Sequence, residues 1–393
     1  MCCWGEAIAV PHDLLALFVF TLASLPLLYY LFALDTAWRF FPARRSDDSL
    51  SEPLPISVLK PVRGLDHDAY DHFKSFCRQS YPQFEILFAV ADADDPAIPV
   101  INRLIEEFPG RAIRLVIGGP VIGPNSKVNK LCWLARESHY ELLVVSDSDV
   151  TAPPDCLRAI AEPFRDSRVG LVTCLYRGAS DGSLTSNLEA IGISTDFIPG
   201  VLMARRFEGT RFALGATMAV RRSTLAAIGG FEALVDYCAD DYELGRRVAA
   251  TGHRVELSAS TVSTSCAART TSAFLKHQLR WAVTIRHARP WGYLGRLLTT
   301  QGLPASLAAA FIAQSVPVAV AYVSAYVAFR LALSWATARR LNDEVVRRRW
   351  WLVPVWDAVA FGVGLAALVT NRIDWRGRFY MLQRGKLVVL HRS

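Results

Sequence analysis

From residue 14 to residue 34 the chain carries no charged side chain. A helix of that length, at about 1.5 Å per residue, reaches about 30 Å, the thickness of a bilayer's hydrocarbon core. A cleaved signal peptide would show a basic leader, a shorter apolar stretch and a small-x-small cleavage site, and the sequence has none of these. Instead Trp38 follows, then Arg39, Arg44 and Arg45, an aromatic belt with a basic flank of the kind kept on the cytoplasmic side. The sequence therefore predicts an N-terminal transmembrane anchor over residues 1–45 with its start outside. A polar, proline-bearing linker over 46–55 and a cytoplasmic domain from residue 56 follow it.

The rest of the composition agrees with a membrane protein. Hydrophobic residues make up 52% of 393, and mean hydropathy is +0.24. The formal net charge is +7, and the arginines crowd beside the apolar stretches. That placement suits anionic lipid headgroups, and no nucleic-acid motif is present. The eight cysteines show no C-x-x-C spacing, so they read as reduced residues rather than a disulfide frame or a zinc site.

From residue 56 to about 300, apolar runs of strand length alternate with stretches of helical spacing. Strands are predicted over 56–60, 85–90, 114–117 and 142–145, with helices over 68–79, 98–108 and 128–136 between them. This order predicts an α/β fold, a mostly parallel sheet with helices on both faces.

Acidic residues gather where such a sheet binds ligands, past the carboxyl ends of its strands. The stretch Glu141-Leu-Leu-Val-Val-Ser-Asp-Ser-Asp-Val150 is a buried strand tipped by Asp147 and Asp149. Two hard oxygen donors there suit Mg²⁺ or Mn²⁺ beside a diphosphate, although an acidic turn is the plainer alternative. Asp92 and Asp95 stand at the end of an earlier strand. The glycine-rich loop 118–129 could bring backbone N–H groups and Lys127 to a phosphate, or be a surface loop. Asp240 and Asp241 precede a helix over 242–249, where one of them could be only an N-cap. A basic aromatic patch, His277-Gln-Leu-Arg-Trp281, comes next; Arg280 and Trp281 read as site residues or as interfacial anchors.

Taken together, Asp92/Asp95, Asp147, Asp241 and the x-x-Arg280-Trp281 element resemble the D, D, D, Q/R-x-x-R-W signature of membrane-bound inverting glycosyltransferases with a GT-A fold. The strings Ser57-Val-Leu-Lys-Pro-Val-Arg-Gly-Leu-Asp66, Tyr81-Pro-Gln-Phe-Glu85, Asp94-Asp-Pro-Ala-Ile98, Ile117-Gly-Gly119 and Lys127-Val-Asn129 are similar to the ceramide glucosyltransferase family. Within it they resemble most the bacterial hopanoid-biosynthesis-associated branch, and Trp375-Arg-Gly-Arg378 with Tyr380 resembles its C-terminal element. Two departures stand out. His277 occupies the Q/R position, and Ser194-Thr-Asp-Phe197 lacks the histidine of the animal ceramide enzymes.

The resemblance implies a UDP-sugar donor, a membrane lipid acceptor, direct displacement with inversion, and residence in a bacterial inner membrane. It places Asp92 and Asp95 at the uridine end, and Asp147 and Asp149 at the ribose and the metal. Asp241 becomes the general base, while Arg280 and Trp281 hold the donor, with Lys127 of the loop a further candidate for its phosphates. The acceptor it implies is a hopanoid taking N-acetylglucosamine, with ceramide and UDP-glucose as the alternative. A processive polysaccharide synthase would need more membrane spans, and a non-catalytic scaffold would have no use for acids at three sites.

The C-terminal region, 301–371, is predicted to hold transmembrane or interfacial helices, followed by a basic tail over 372–393. Residues 302–338 contain one charge, Arg330, and could form one tilted helix, two short spans or a re-entrant hairpin. Residues 351–370 are a further candidate, carrying Asp357, an acid that would be functional by default inside a membrane. The arginines of 339–349 and those from Arg372 onward both ask for the cytoplasmic side, which points to an interfacial or re-entrant last segment.

Overall fold

Strands β1 (Ile56–Pro61), β2 (Phe84–Val90), β3 (Ala112–Ile117) and β4 (Leu142–Ser146) are joined by the helices Ala69–Cys77, Ile98–Glu107 and Ser126–Glu137. Every residue of β1, β2 and β4 is buried, as continuous apolar runs require when helices cover both faces. β1 pairs in parallel with β2 and with β4, and β2 in parallel with β3. The spatial order β3-β2-β1-β4 reverses the direction of growth at β1. The crevice past the carboxyl ends of β1 and β4 is thus a topological switch point, where open α/β sheets bind ligands.

The later strands β5 (Val150–Thr151), β6 (Val169–Ser180), β7 (Thr217–Arg221) and β8 (Arg254–Cys266) extend the same sheet in the order β4-β7-β6-β8-β5. β7 runs antiparallel to both β4 and β6. Its pairing draws the preceding residues Gly215 and Ala216 to the tip of β4, where Asp147 N donates to Ala216 O at 3.2 Å. The computed structural model describes residues 12–40, 53–267, 269–300, 302–313, 315–375 and 377–390. Cys2, Cys3, Arg44, Arg45, Arg376 and linker positions 46–52 lie outside the described residues. The six described cysteines are free and buried.

Three helices are long and apolar enough to cross a membrane: Leu14–Phe40, Val316–Leu341 and Glu344–Val369. The first two run side by side in the same direction. Phe20 stacks on Tyr322 with centroids 5.5 Å apart, Tyr30 meets Tyr326 at 6.5 Å, and Arg340 Nη2 donates to Trp38 O at 3.4 Å. A short helix, Gly302–Ile312, packs against both. Gly302 N donates to Tyr30 Oη at 3.2 Å, and a Cβ at 302 would come within 3 Å of Tyr30 and Tyr326. The helices Gly302–Ile312 and Val316–Leu341 thus pack side by side as the two arms of a hairpin.

The last apolar helix, Val353–Val369, touches the α/β domain at both ends. Leu352 and Val353 pack with Leu188 and Ile191, while Ala367 packs with Tyr293, Ile373 and Tyr380. Arg286 donates to Leu368 O at 3.0 Å and to Thr370 O at 2.9 Å. The helix lies along the domain, held to it by these contacts at each end. Asp357 is not a lone acid. It takes Arg330 and Tyr326, each at 2.7 Å, and Arg330 also donates to Thr195 O at 2.8 Å, tying the hairpin to the α/β domain.

The segment expected as a basic tail is folded. β9 (Arg372–Trp375), β10 (Arg378–Gln383) and β11 (Lys386–Val389) form an antiparallel sheet. It docks on the loop before Asp240: Cys238 N donates to Gly385 O at 3.1 Å and Leu387 N to Asp236 O at 2.7 Å.

Candidate active site

Past Ser146 the chain turns into a cavity of about 1200 Å³ lined by Asp147, Asp149, Asp240, Asp241 and Lys127. Lys127 Nζ lies 2.7 Å from Asp147 Oδ1 and 3.7 Å from Asp240 Oδ2. Burial opposes the charge on Lys127, but Asp147, Asp240 and Asp241 together outweigh it and hold the ammonium above the ordinary lysine range. The carboxylates outnumber the cation. Burial, then the neighbouring Asp147 and Asp66, push Asp149 up to about 6. Burial, then Asp240, push Asp241 up to about 6 as well, while Lys127 and the Tyr242 N–H at 2.7 Å pull the other way.

Asp240 and Asp241 occupy the first turn of the helix Asp240–Ala250, whose N-cap position is Ala239, so neither acid is the cap. Asp240 is the more buried, takes a hydrogen bond from Asn125 Nδ2 at 3.4 Å, and is raised by burial. Asp241 Oδ2 faces Gly215, where a Cβ would lie only 2.8 Å away. A glycine there keeps space open beside this one oxygen.

The other residues singled out from the sequence fall in three places. Arg280 and Trp281 line the same cavity. Arg280 Cζ stands 5.8 Å from the Trp375 ring, and Trp281 packs against Phe197 and His277 at 6.3 and 5.5 Å. The loop 118–129 brings Ser126 and Lys127 to the cavity wall, while several of its backbone donors are spent within it. Ile122 N and Gly123 N are taken by Asn129 Oδ1 at 2.9 and 3.1 Å, and Asn125 Oδ1 caps the helix through Lys127 N and Val128 N. Asp92 is exposed and Asp95 buried, and neither lines the cavity. Asp95 accepts from Gly64 N at 3.0 Å and Ala97 N at 2.9 Å, so it fixes the turn that carries Arg63 to the cavity wall.

The profile of glycosyl transferase family 21 matches residues 18–388. The chain belongs to glycosyl transferase family 21. Ceramide glucosyltransferase 3 of Caenorhabditis elegans is 26% identical over 231 residues, 58% of this chain and 49% of that relative. Ceramide glucosyltransferase of Candida albicans is 30% identical over 115 residues, 26% of this chain and 21% of that relative. The chain spans about half the length or less of these curated relatives. Among solved structures, a mannosyltransferase of Pyrobaculum calidifontis in complex with GDP-Man and Mn²⁺ superposes with a TM-score of 0.54 at 19% identity. That match covers 90% of this chain and 99% of the other. The likeness is one of fold, and it gives the GT-A-type α/β architecture.

Several residues of this family 21 glycosyltransferase escaped the sequence reading. Lys60, at the end of β1, is wholly buried; its Nζ donates to Asp147 O at 2.9 Å and Ser146 Oγ at 3.3 Å over the Phe76 ring. Burial lowers it to about 7 against the pull of Asp147 and Asp149. A lysine inside an otherwise apolar strand was the available signal. Asp66 accepts from Ser148 Oγ at 2.8 Å, steadying the turn between the two acids. Glu189 holds Arg269 at 2.7 Å and His277 at 3.1 Å, so the departing histidine of the last motif has its own acidic partner.

Proposed function

We propose that this enzyme transfers one sugar, N-acetylglucosamine, from its UDP derivative to a hydroxyl of a membrane lipid, a hopanoid such as bacteriohopanetetrol, with inversion. The observation that carries the reading is one cavity lined both by the acids and Lys127 and by Tyr29, Val359, Ala360 and Val363 of the apolar helices. A nucleotide-sugar suits the charged lining and a lipid the apolar one.

The acidic end fits a divalent ion. Asp149 is raised first by burial and then by Asp147 and Asp66, which Lys60 offsets only in part. Mg²⁺ or Mn²⁺ can be held by as few as two carboxylates, with diphosphate oxygens and water completing the shell. Asp147 and Asp149 would hold it, and when bound it would screen the diphosphate and so ease departure of UDP. Lys127 and Arg280 supply protein cations for the same charge, and Trp281 a flat apolar face. Asp95, through Gly64, would set the turn against which the uridine rests, with Asp92 at its outer edge.

In this reading Asp241 is the general base. A carboxylate titrating near 6 is ionised at neutral pH yet more basic than an ordinary aspartate, which suits proton abstraction at that pH. The acceptor oxygen bonds to C1 as its proton passes to Asp241, and the C1–O bond to the diphosphate breaks with its electrons leaving on UDP. The basic segments 339–349 and 372–390 would put the catalytic domain in the cytoplasm.

The ceramide glucosyltransferases among the relatives favour a second reading, glucose transfer from UDP-glucose to ceramide. Membranes bearing the enzyme, given labelled UDP-N-acetylglucosamine or UDP-glucose with bacteriohopanetetrol or ceramide, separate the two. Labelled N-acetylglucosamine on the hopanoid is the expected product. Labelled glucose on ceramide, with none on the hopanoid, replaces this reading with the second.

A further inference from the structure

A second polar cluster lines the same cavity, made of residues other than the acids that the reaction uses. Tyr29, Asp196, Arg296 and Trp356 all line it. Tyr29 Oη and Trp356 Nε1 are shut off from solvent and have no hydrogen-bond partner among the described residues. Trp356 is only 6% exposed. Buried donors left unpaired cost stability, and a fold that keeps two of them in one cavity wall has a reason outside its own packing.

The local backbone is shaped to build this cluster. Asp196 lies in a π-helical turn, Ile193–Phe197, a distortion found often at functional sites. Immediately before that turn, a Cβ at Gly192 would come 2.2 Å from the Trp356 ring, so the glycine lets the indole lie against the turn. Asp196 Oδ2 meets Arg296 Nη2. Neither side chain makes another hydrogen bond among the described residues, which leaves Oδ1 and most guanidinium N–H groups without a protein partner. Tyr29 sits within electrostatic reach of both.

We infer that Tyr29, Asp196, Arg296 and Trp356 form an acceptor subsite that reads an uncharged hydroxyl or amide of the lipid, beyond the hydroxyl that is glycosylated. The inference rests on the lipid-acceptor reading above. The ion pair is neutral overall and offers donors and an acceptor side by side, the pattern that suits a polyol or an amide. A phosphate would face the Asp196 carboxylate, so an anionic headgroup is disfavoured. A site built to hydrogen-bond a hydroxyl discriminates against the analogue lacking it, because its own buried groups are then left unpaired.

The test compares kcat/KM for matched acceptors in mixed micelles, using full-length enzyme. The pairs are bacteriohopanetetrol against a hopanoid with a single hydroxyl, and ceramide against a ceramide lacking its secondary hydroxyl. Wild type should prefer the richer acceptor of whichever pair it uses. Tyr29→Phe, which removes one oxygen and keeps the ring, should shrink that preference about fivefold to tenfold, the size of one hydrogen bond. Trp356→Phe and Asp196→Asn should shrink it further. Preferences unchanged in all three variants, or equal losses on both members of a pair, overturn the subsite. Wild type that hydrolyses the UDP-sugar yet glycosylates none of the four lipids overturns the lipid-acceptor reading, and the subsite with it.

Discussion

Lys127 Nζ stands 2.7 Å from Asp147 Oδ1, and it is the cation on which the acidic floor of the cavity balances. It also lowers Asp241, working against burial and Asp240. Removing it as Lys127→Met should therefore raise the Asp241 pKa further and move the acidic limb of the kcat/KM profile upward by about one unit. The variant should lose most at pH 6 to 6.5 and recover part of the loss near pH 8. A limb that stays where wild type has it would separate Lys127 from the base.

Asp149 should leave its mark on stability. Folded, it keeps its proton up to about pH 6, against an ordinary 3.8. Between those values the native state binds the extra proton, so stability falls as pH rises from about 4 to 6 and stays lower above. Asp149→Asn removes that penalty, worth about 2–3 kcal/mol at most. In metal-free detergent solution the variant should melt above wild type at pH 7.5, with the gap closing toward pH 4.5. A gap independent of pH would contradict the assignment.

Metal binding can be followed without activity. Mn²⁺ with UDP should raise the melting temperature of wild type, and Asp149→Asn should lose most of that increment. EDTA should stop transfer, and Mg²⁺ or Mn²⁺ should restore it. Full transfer in excess chelator would leave the diphosphate to Lys127 and Arg280 alone.

Local pattern carried the first half of the fold. An apolar strand tipped by Asp147 and Asp149, and helices with clear spacing, are properties of neighbouring residues, and β1 to β4 lie where the alternation put them. What pattern could not carry was pairing at a distance. β7 enters between β4 and β6 against the parallel trend, and only that register brings Gly215 to Asp241. The strands at 372–389 looked like a basic tail because their partner, the loop at Asp236 to Cys238, lies more than a hundred residues earlier. The hydrogen bonds of Asp95 to the backbone N–H groups of Gly64 and Ala97 were likewise out of reach, since no sequence motif displays them.

The central claim is that Asp241, and not its neighbour, takes the acceptor proton. Asp241 Oδ2 borders the open space at Gly215, while Asp240 is buried against Asn125 and Lys127. General-base catalysis is worth about 10²–10⁴-fold, so Asp241→Asn should lower kcat by that much while UDP affinity stays nearly unchanged. Asp240→Asn, which takes a carboxylate from beside Lys127, should instead cost donor affinity more than turnover. Single-turnover transfer rates and UDP binding, measured for both variants beside wild type, decide the matter. Near wild-type turnover in Asp241→Asn, together with its loss in Asp240→Asn, would move the base one residue back and contradict the account.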